Sequence, residues 1–195
     1  MHRFADAHDY AIRVVERDCG RRGGWIKIEP LLALLEDGFD YVLWLDADTV
    51  VARTDIDIRN VTHGSVDLHM TWHNPAPRPN GDPPHFNTGV MLIRASNWSR
   101  AFFTQVWEVG PLEHRWNDQA TIHHALGFHE VLDMGRNRED VSKHPIARLN
   151  LTWNSIPNVC TLADPVIWHY AGMEMGARID AMRSASRPRA QVGGR

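Results

Sequence analysis

The sequence predicts one α/β domain organised around a largely parallel sheet. Three observations carry that expectation. The run YVLWL at Tyr41–Leu45 is continuously apolar, the pattern of a strand covered on both faces. Segments with helical spacing alternate along the chain with short β-branched and aromatic segments. The chain has 195 residues, 43% of them hydrophobic, which suits one domain with a real core.

The elements follow in order. Residues 2–8 read as the tail of a helix, and YAIRVV at 10–15 as a short strand. CGRRGG at 19–24 is a loop. A helix spans 28–37: Pro30 suits its first turn, Leu31, Leu34 and Leu35 share a face, and Gly38 ends it. Strands are expected at 41–45, 66–72 and 86–94, and again late in the chain at 130–133 and 166–169. Between the second and third lies HNPAPRPNGDPP, residues 73–84, a loop by its prolines. Asn97 is expected to cap a helix running to about 109, with Phe102, Phe103, Val106 and Trp107 inward. Asn117 is expected to cap another through Leu126, ended by Gly127. Residues 1–184 then form one domain, and 185–195 a polar, disordered tail.

Composition narrows the function classes. A net charge of -3 gives no basic surface for nucleic acid. No run of about 18 apolar residues is present, so no transmembrane helix is expected. MHRFADAHDY carries no apolar stretch of a secretory signal. Two cysteines, Cys19 and Cys160, are too few for a disulfide framework and fit a reducing compartment. Together these point to a cytoplasmic or membrane-peripheral protein. Eight tryptophans are many for this length; core packing accounts for most, though sugar-binding clefts use the same faces.

The strand at 41–45 runs into Asp46, Ala47 and Asp48. Carboxylates are not left buried without a partner. Two of them at this spacing can converge on one hard cation such as Mg²⁺ or Mn²⁺. The plain alternative is a turn in which Asp48 accepts local backbone N–H groups. The same pattern recurs at Asp55 and Asp57, but after ART rather than after a strand, with Arg53 and Arg59 alongside. That second pair reads as surface charge beside a helical turn. The first pair sits where ligands collect in a parallel sheet, at the carboxyl ends of strands.

WLDADTVV, FNTGVMLIR, NDQ at 117–119 and HYAG at 169–172 occur in one order. Together they resemble the nucleotide-sugar glycosyltransferases of the GT-A fold, most of all glycosyltransferase family 34, and also the retaining family 8 enzymes. The resemblance covers about residues 4–172. It implies a Rossmann-like α/β sandwich with a central, mostly parallel sheet, here without the usual first strand. It implies transfer of a hexose or pentose from a nucleotide-sugar, a UDP-sugar, to a glycan or other hydroxyl acceptor, with retention.

The resemblance also implies roles. Asp46, Asp48 and His169 match the metal ligands, usually for Mn²⁺, with Mg²⁺ as the alternative. Asp46, Lys27, Asn87 and Gly89 match donor-binding positions, Lys27 as a point charge near the phosphates. Asp118 and Gln119 match the acid and amide near the reacting carbon, Asp118 for donor hydroxyls and Gln119 for the positive charge that develops. Trp153 and Asn154 are acceptor-side candidates, as is the loop 73–84. A packed histidine at 169, a solvated loop lysine at 27 and a helix-capping acid at 118 are the plain alternatives. Family 8 enzymes place a lysine shortly after the late histidine; here MEMGAR follows, and Arg178 is the nearest cation. Two other functions compete: a nucleotidyltransferase that makes sugar nucleotides, and a degenerate, non-catalytic sugar- or nucleotide-binding protein.

Overall fold

The computed structural model describes residues 1–16, 20–21, 23–62, 64–73, 85–128, 143–157 and 159–186. The expected strand at 130–133 and residues 74–84 of the expected loop 73–84 lie outside them. Eleven helices and strands occur in chain order among the described residues: α1 (His2–His8), α2 (Ile28–Glu36), β1 (Tyr41–Leu45), β2 (Thr49–Val51), β3 (Leu68–His73), β4 (His85–Arg94), α3 (Asn97–Val109), α4 (Asp118–Ala125), β5 (Ile146–Leu149), β6 (Ile167–His169) and α5 (Met175–Ala185). A four-stranded sheet has the order β1-β4-β3-β5, and β2 pairs separately with β6. β3 and β5 are parallel, while β4 runs antiparallel to both β1 and β3. Three strands therefore point one way with an inverted strand between them, the mixed α/β sheet of the expected class.

Both faces of the sheet are covered, as the unbroken apolar run at β1 requires. On one face Met91 and Ile93 of β4 pack with Leu31 and Leu35 of α2, Phe102, Phe103 and Val106 of α3, and Ile122 of α4. On the other, Val90 and Leu92 pack with Phe4 of α1, Ile58, Leu149 and Trp153. The period-two alternation of β4 sorts its residues between the two layers.

Local chemistry explains most boundaries. Gly38 takes φ +81 just past α2, where a side chain would be strained. α3 is capped one residue earlier than expected, by Ser96, in a reciprocal capping box with Ser99. Asn117 precedes α4 with φ 49 and makes no side-chain cap bond. Residues 10–15 form no strand. Val14 is 68% exposed, and among the described residues no neighbouring strand offers its backbone a ladder; β-branched residues need that pairing to hold an extended form. α5 runs through Ala185, past the expected boundary at 184, and none of its residues is buried.

Two features of the sheet build the site. β4 slips register against β3: Met70 faces Met91, yet Thr71 faces Asn87, so Thr88, Gly89 and Val90 form a bulge. Bulges re-aim side chains. The β2–β6 ladder pairs Thr49 with His169, and Tyr170 N–H donates to the Asp48 carbonyl at 2.9 Å. That register brings a residue from the end of the chain beside Asp48.

Candidate active site

β1 delivers Asp46 at its carboxyl end. The Asp46 N–H donates to the Gly89 carbonyl at 2.8 Å, and both Thr49 N–H and Thr49 Oγ1 donate to the Asp46 carbonyl. Backbone groups and the Thr49 hydroxyl together fix the turn. Trp44 Nε1 donates to Asp46 Oδ1 at 2.7 Å. Asp46, Asp48 and His169 each offer a ligand atom, and these atoms lie within 4.8 Å of one another.

Lys27 is not a solvated loop lysine. It is 1% exposed, at the end of a 3₁₀ turn over Gly23–Lys27 that leads into α2. Its Nζ lies 2.9 Å from Asp46 Oδ1 and 2.9 Å from Asp118 Oδ2, and donates to the Thr88 carbonyl at 3.2 Å. Burial pushes its pKa down, but Asp118 and Asp46 outweigh that and hold it above the ordinary value, so it stays charged. Asp118, in the first turn of α4, also accepts from Thr88 Oγ1 at 3.1 Å. Gly24 is what lets it approach: a Cβ there would fall 1.8 Å from Asp118 Oδ1.

A chain of amides orients the histidine. His169 Nδ1 contacts Asn154 Oδ1 at 2.9 Å. Asn154 Nδ2 donates to Asn87 Oδ1, which also accepts from Gly89 N–H. Asn87 Nδ2 in turn donates to Gln119 Oε1 at 3.2 Å. An amide oxygen accepts only, so Nδ1 carries a proton and Nε2 is the nitrogen left to face Asp48 Oδ1, 3.3 Å away. A lone pair and a carboxylate oxygen at that distance repel unless a cation, a proton or a metal ion, lies between them. This is the chemistry of a metal ligand set, and two carboxylates with one imidazole suit a divalent ion. Gly89 is required here as well: a Cβ would meet His169 Cε1 at 2.1 Å. Burial pushes the Asp48 carboxyl up, but His169 and then Arg178 outweigh it and hold it below its ordinary value.

The expected residues thus gather, with two corrections. Trp153 is 3% exposed and packs in the core, and Asn154 is fully buried on His169, so neither offers a surface to an acceptor. Asn154 orients His169 instead. Gln119 Oε1 is engaged by Asn87 Nδ2 and Thr88 N–H, so it meets β4 rather than open space. Sequence reading missed Thr88, which contacts Lys27 through its carbonyl and Asp118 through its hydroxyl. The FNTG stretch pointed to its neighbours, but only the bulge turns Thr88 inward. His73, expected as the first residue of the loop 73–84, instead ends β3 and is buried, its Nδ1 2.8 Å from Cys160 Sγ. Among the described residues no helix is long and apolar enough to cross a membrane.

Comparison with known proteins bears on the fold and the family. No curated protein sequence matches the chain. Among solved structures, a glycosyltransferase involved in glycosylation of the major capsid of PBCV-1 superposes with a TM-score of 0.66 at 16% identity, over 94% of this chain and 88% of that one. The galactosyltransferase LgtC, in complex with donor and acceptor sugar analogs, aligns at TM-score 0.48 and 16% identity, over 94% and 72%. Mouse xyloside xylosyltransferase 1 aligns at 0.46 and 14%, over 87% and 73%. The first likeness supports the GT-A fold; the other two are too distant to add to it. Residues 6–146 match the nucleotide-diphospho-sugar transferase family, and the chain therefore belongs to that family and is a glycosyltransferase of the GT-A class.

Proposed function

We propose that the chain transfers a hexose or pentose from a UDP-sugar to a hydroxyl of a glycan or other acceptor, with retention and with a divalent cation. The observation that carries this reading is the convergence of Asp46, Asp48 and His169 beside the buried Lys27–Asp118 pair. Asp46, Asp48 and His169 would hold the ion, and the imidazole favours Mn²⁺ over Mg²⁺. When bound, the ion neutralises the diphosphate that departs from the sugar.

The chain's own groups do the rest. Asp46, Asp48 and Asp118 face the cations Lys27 and Arg178, so these five side chains together carry one excess negative charge. That excess is what Asp46, Asp48 and His169 would offer to a divalent ion. Lys27, locked between Asp46 and Asp118, adds a fixed positive charge on the donor side. Asp118 takes donor hydroxyls, and the lack of a side chain at Gly89 lets the His169 ring stand against β4 on the donor side. Positive charge developing at the reacting carbon competes with Asn87 and Thr88 for the Gln119 amide oxygen. The acceptor attacks from the leaving-group side, and the departing phosphate takes its proton, so no protein base is needed. Residues 1–184 act as one catalytic domain, in the cytoplasm or at a membrane surface.

The test is UDP release from UDP-hexoses and UDP-pentoses, with Mn²⁺, Mg²⁺ or chelator, and NMR of the product anomer. Mn²⁺-dependent release with a retained anomer is expected. Pyrophosphate release from a nucleoside triphosphate, or glycan binding with no turnover of any donor, would contradict the reading.

A further inference from the structure

A cavity of about 510 Å³ lies between the chain that leads into α2 and the loop ahead of α4. Arg21 and Trp25 line it from the first segment, and Glu113, His114 and Asn117 from the second. Its size is that of an ordinary ligand pocket. None of Lys27, Asp46, Asp48, Asp118 and His169 lines it, so it is separate from the metal and donor groups. It is nonetheless close to them in the chain. Trp25 belongs to the 3₁₀ turn that ends in Lys27, and Asn117 adjoins Asp118, so the same two segments carry the cavity and the buried ion pair.

The wall holds an unmet donor. Trp25 is fully buried, and its Nε1 has no hydrogen-bond partner among the described residues. A buried N–H left unpaired is costly and uncommon. The Arg21 guanidinium lies 5.1 Å from the centre of the Trp25 ring and 3.6 Å from that of Trp107, and it donates to the Trp107 carbonyl at 2.9 Å. His114 Nδ1 accepts from Trp116 N–H, which makes Nε2 the protonated nitrogen of the neutral ring. Asn117 brings an amide on a backbone at φ 49 and ψ -119, a strained conformation for any residue but glycine. The lining therefore mixes N–H donors with the Glu113 carboxylate and an amide that does both. A phosphate only accepts, and Glu113 repels it. An ammonium only donates, and Arg21 repels it. A sugar hydroxyl both donates and accepts, and suits every wall.

We propose that this cavity is a carbohydrate subsite, which holds a sugar unit of the acceptor glycan other than the one that receives the transferred sugar. One hydroxyl accepts from Trp25 Nε1 as the Arg21 guanidinium gives way, and others meet Glu113 and Asn117. The proposal rests on the sugar-transfer reading above. It makes the acceptor an oligosaccharide: binding in the cavity holds it while its reacting hydroxyl reaches the donor side. It also makes that binding independent of metal and nucleotide, because none of the three metal-ligand candidates lines the cavity.

The experiment follows the tryptophan indole N–H signals by two-dimensional NMR while lactose, cellobiose, maltose or xylobiose is added to the full chain, without Mn²⁺ or UDP. The Trp25 signal is the one lost in Trp25→Phe. At least one disaccharide is expected to shift it saturably, and inorganic phosphate to leave it in place. Glu113→Gln and Asn117→Gly are expected to weaken that disaccharide about 10-fold each, the scale of one hydrogen bond to a charged or buried group. Thermal melts check that both variants fold; Glu113 is exposed, and glycine suits the positive φ at 117. With the same disaccharide as acceptor, Glu113→Gln should raise KM and leave kcat unchanged. In protein that binds UDP with Mn²⁺, a Trp25 signal that no disaccharide moves, one that phosphate moves, or unchanged affinity in both variants overturns this proposal alone. No Mn²⁺-dependent UDP binding by wild type overturns the donor reading, and the acceptor role with it.

Discussion

The chain carries the same three-residue pattern twice, at Asp46–Asp48 and at Asp55–Asp57, and the two regions have different fates. Asp55 is met by Arg53, two residues away, and that arginine also reaches Asp164 at the surface. Asp57 caps the 3₁₀ turn over Ile58–Val61, accepting from Arg59 N–H at 2.7 Å and from the Arg59 guanidinium. It also accepts from the Tyr10 hydroxyl, which ties the segment after α1 to this turn. Its carboxyl is held far below the ordinary range, chiefly by the Arg59 hydrogen bond. Asp46 and Asp48 instead meet groups from distant chain: Lys27, His169 and Arg178. The lesson is that a pair of carboxylates becomes a site only when sheet register delivers partners that local sequence cannot. The second pair is neutralised by its sequence neighbours Arg53 and Arg59.

The largest expected contrast is in stability. Lys27→Met leaves Asp46 and Asp118 without their shared cation, and removing one partner of a buried ion pair costs about 3–5 kcal/mol. Arg53→Met, at the exposed pair, should leave the urea midpoint unchanged. A similar midpoint in both variants would dissolve the distinction between the regions.

Next is a steric contrast. Gly89→Ala drives a methyl into the His169 ring and should weaken Mn²⁺ binding by about 10–100-fold, as for a disturbed ligand orientation. Gly64→Ala meets nothing within 4 Å and should bind Mn²⁺ like wild type. Equal affinities would show that His169 is not a ligand.

A pH series separates the regions in another way. Burial, then the charge of His85, pushes His73 down to about 3; burial, offset in part by its bond to Phe86, pushes His123 down to about 4. Both are neutral in the fold, while the unfolded chain takes up protons below pH 6.5. Their contribution to stability is therefore complete above 6.5 and declines as pH falls toward 4, by roughly 1.4 kcal/mol per pH unit for each histidine. Urea midpoints between pH 7.5 and 5 should fall in wild type and fall less in His73→Gln. A flat profile in wild type would contradict the burial of these rings. The carboxyls of the second pair stay ionised throughout that window, so Asp55→Asn should not alter the slope.

The smallest effect belongs to the cap. Asp57→Ala should cost about 1 kcal/mol, the usual worth of such a cap, with Mn²⁺ binding intact. Lost Mn²⁺ binding in that variant would make the second pair part of the site.

Much of this was legible beforehand, for identifiable reasons. β1, β4 and α2 were read from apolar runs and breakers, which are local properties. Asp46 and Asp48 were visible because polar residues interrupt a buried strand. His169 and Lys27 were visible only through motifs in order, since spacing alone does not bring residues 27, 46 and 169 together. The strand expected at 10–15 failed because propensity says nothing about a missing neighbour. Asn154 stands in the sequence only as an acceptor-side candidate, and its place against His169 follows from the fold. Thr88 was hidden by a register slip in β4 that no periodicity announces. α5 has a weak pattern because none of its residues is buried, and its Arg178 gains meaning only from the distance to Asp48.

The most direct measurement is calorimetric titration of UDP, with and without Mn²⁺, into wild type, Asp48→Ala and Asp55→Ala. The account predicts Mn²⁺-dependent binding in wild type and Asp55→Ala, and its loss in a still-folded Asp48→Ala. Binding that survives in Asp48→Ala, or that needs no Mn²⁺ in wild type, would contradict the claim that the first pair is the metal-holding heart of the site.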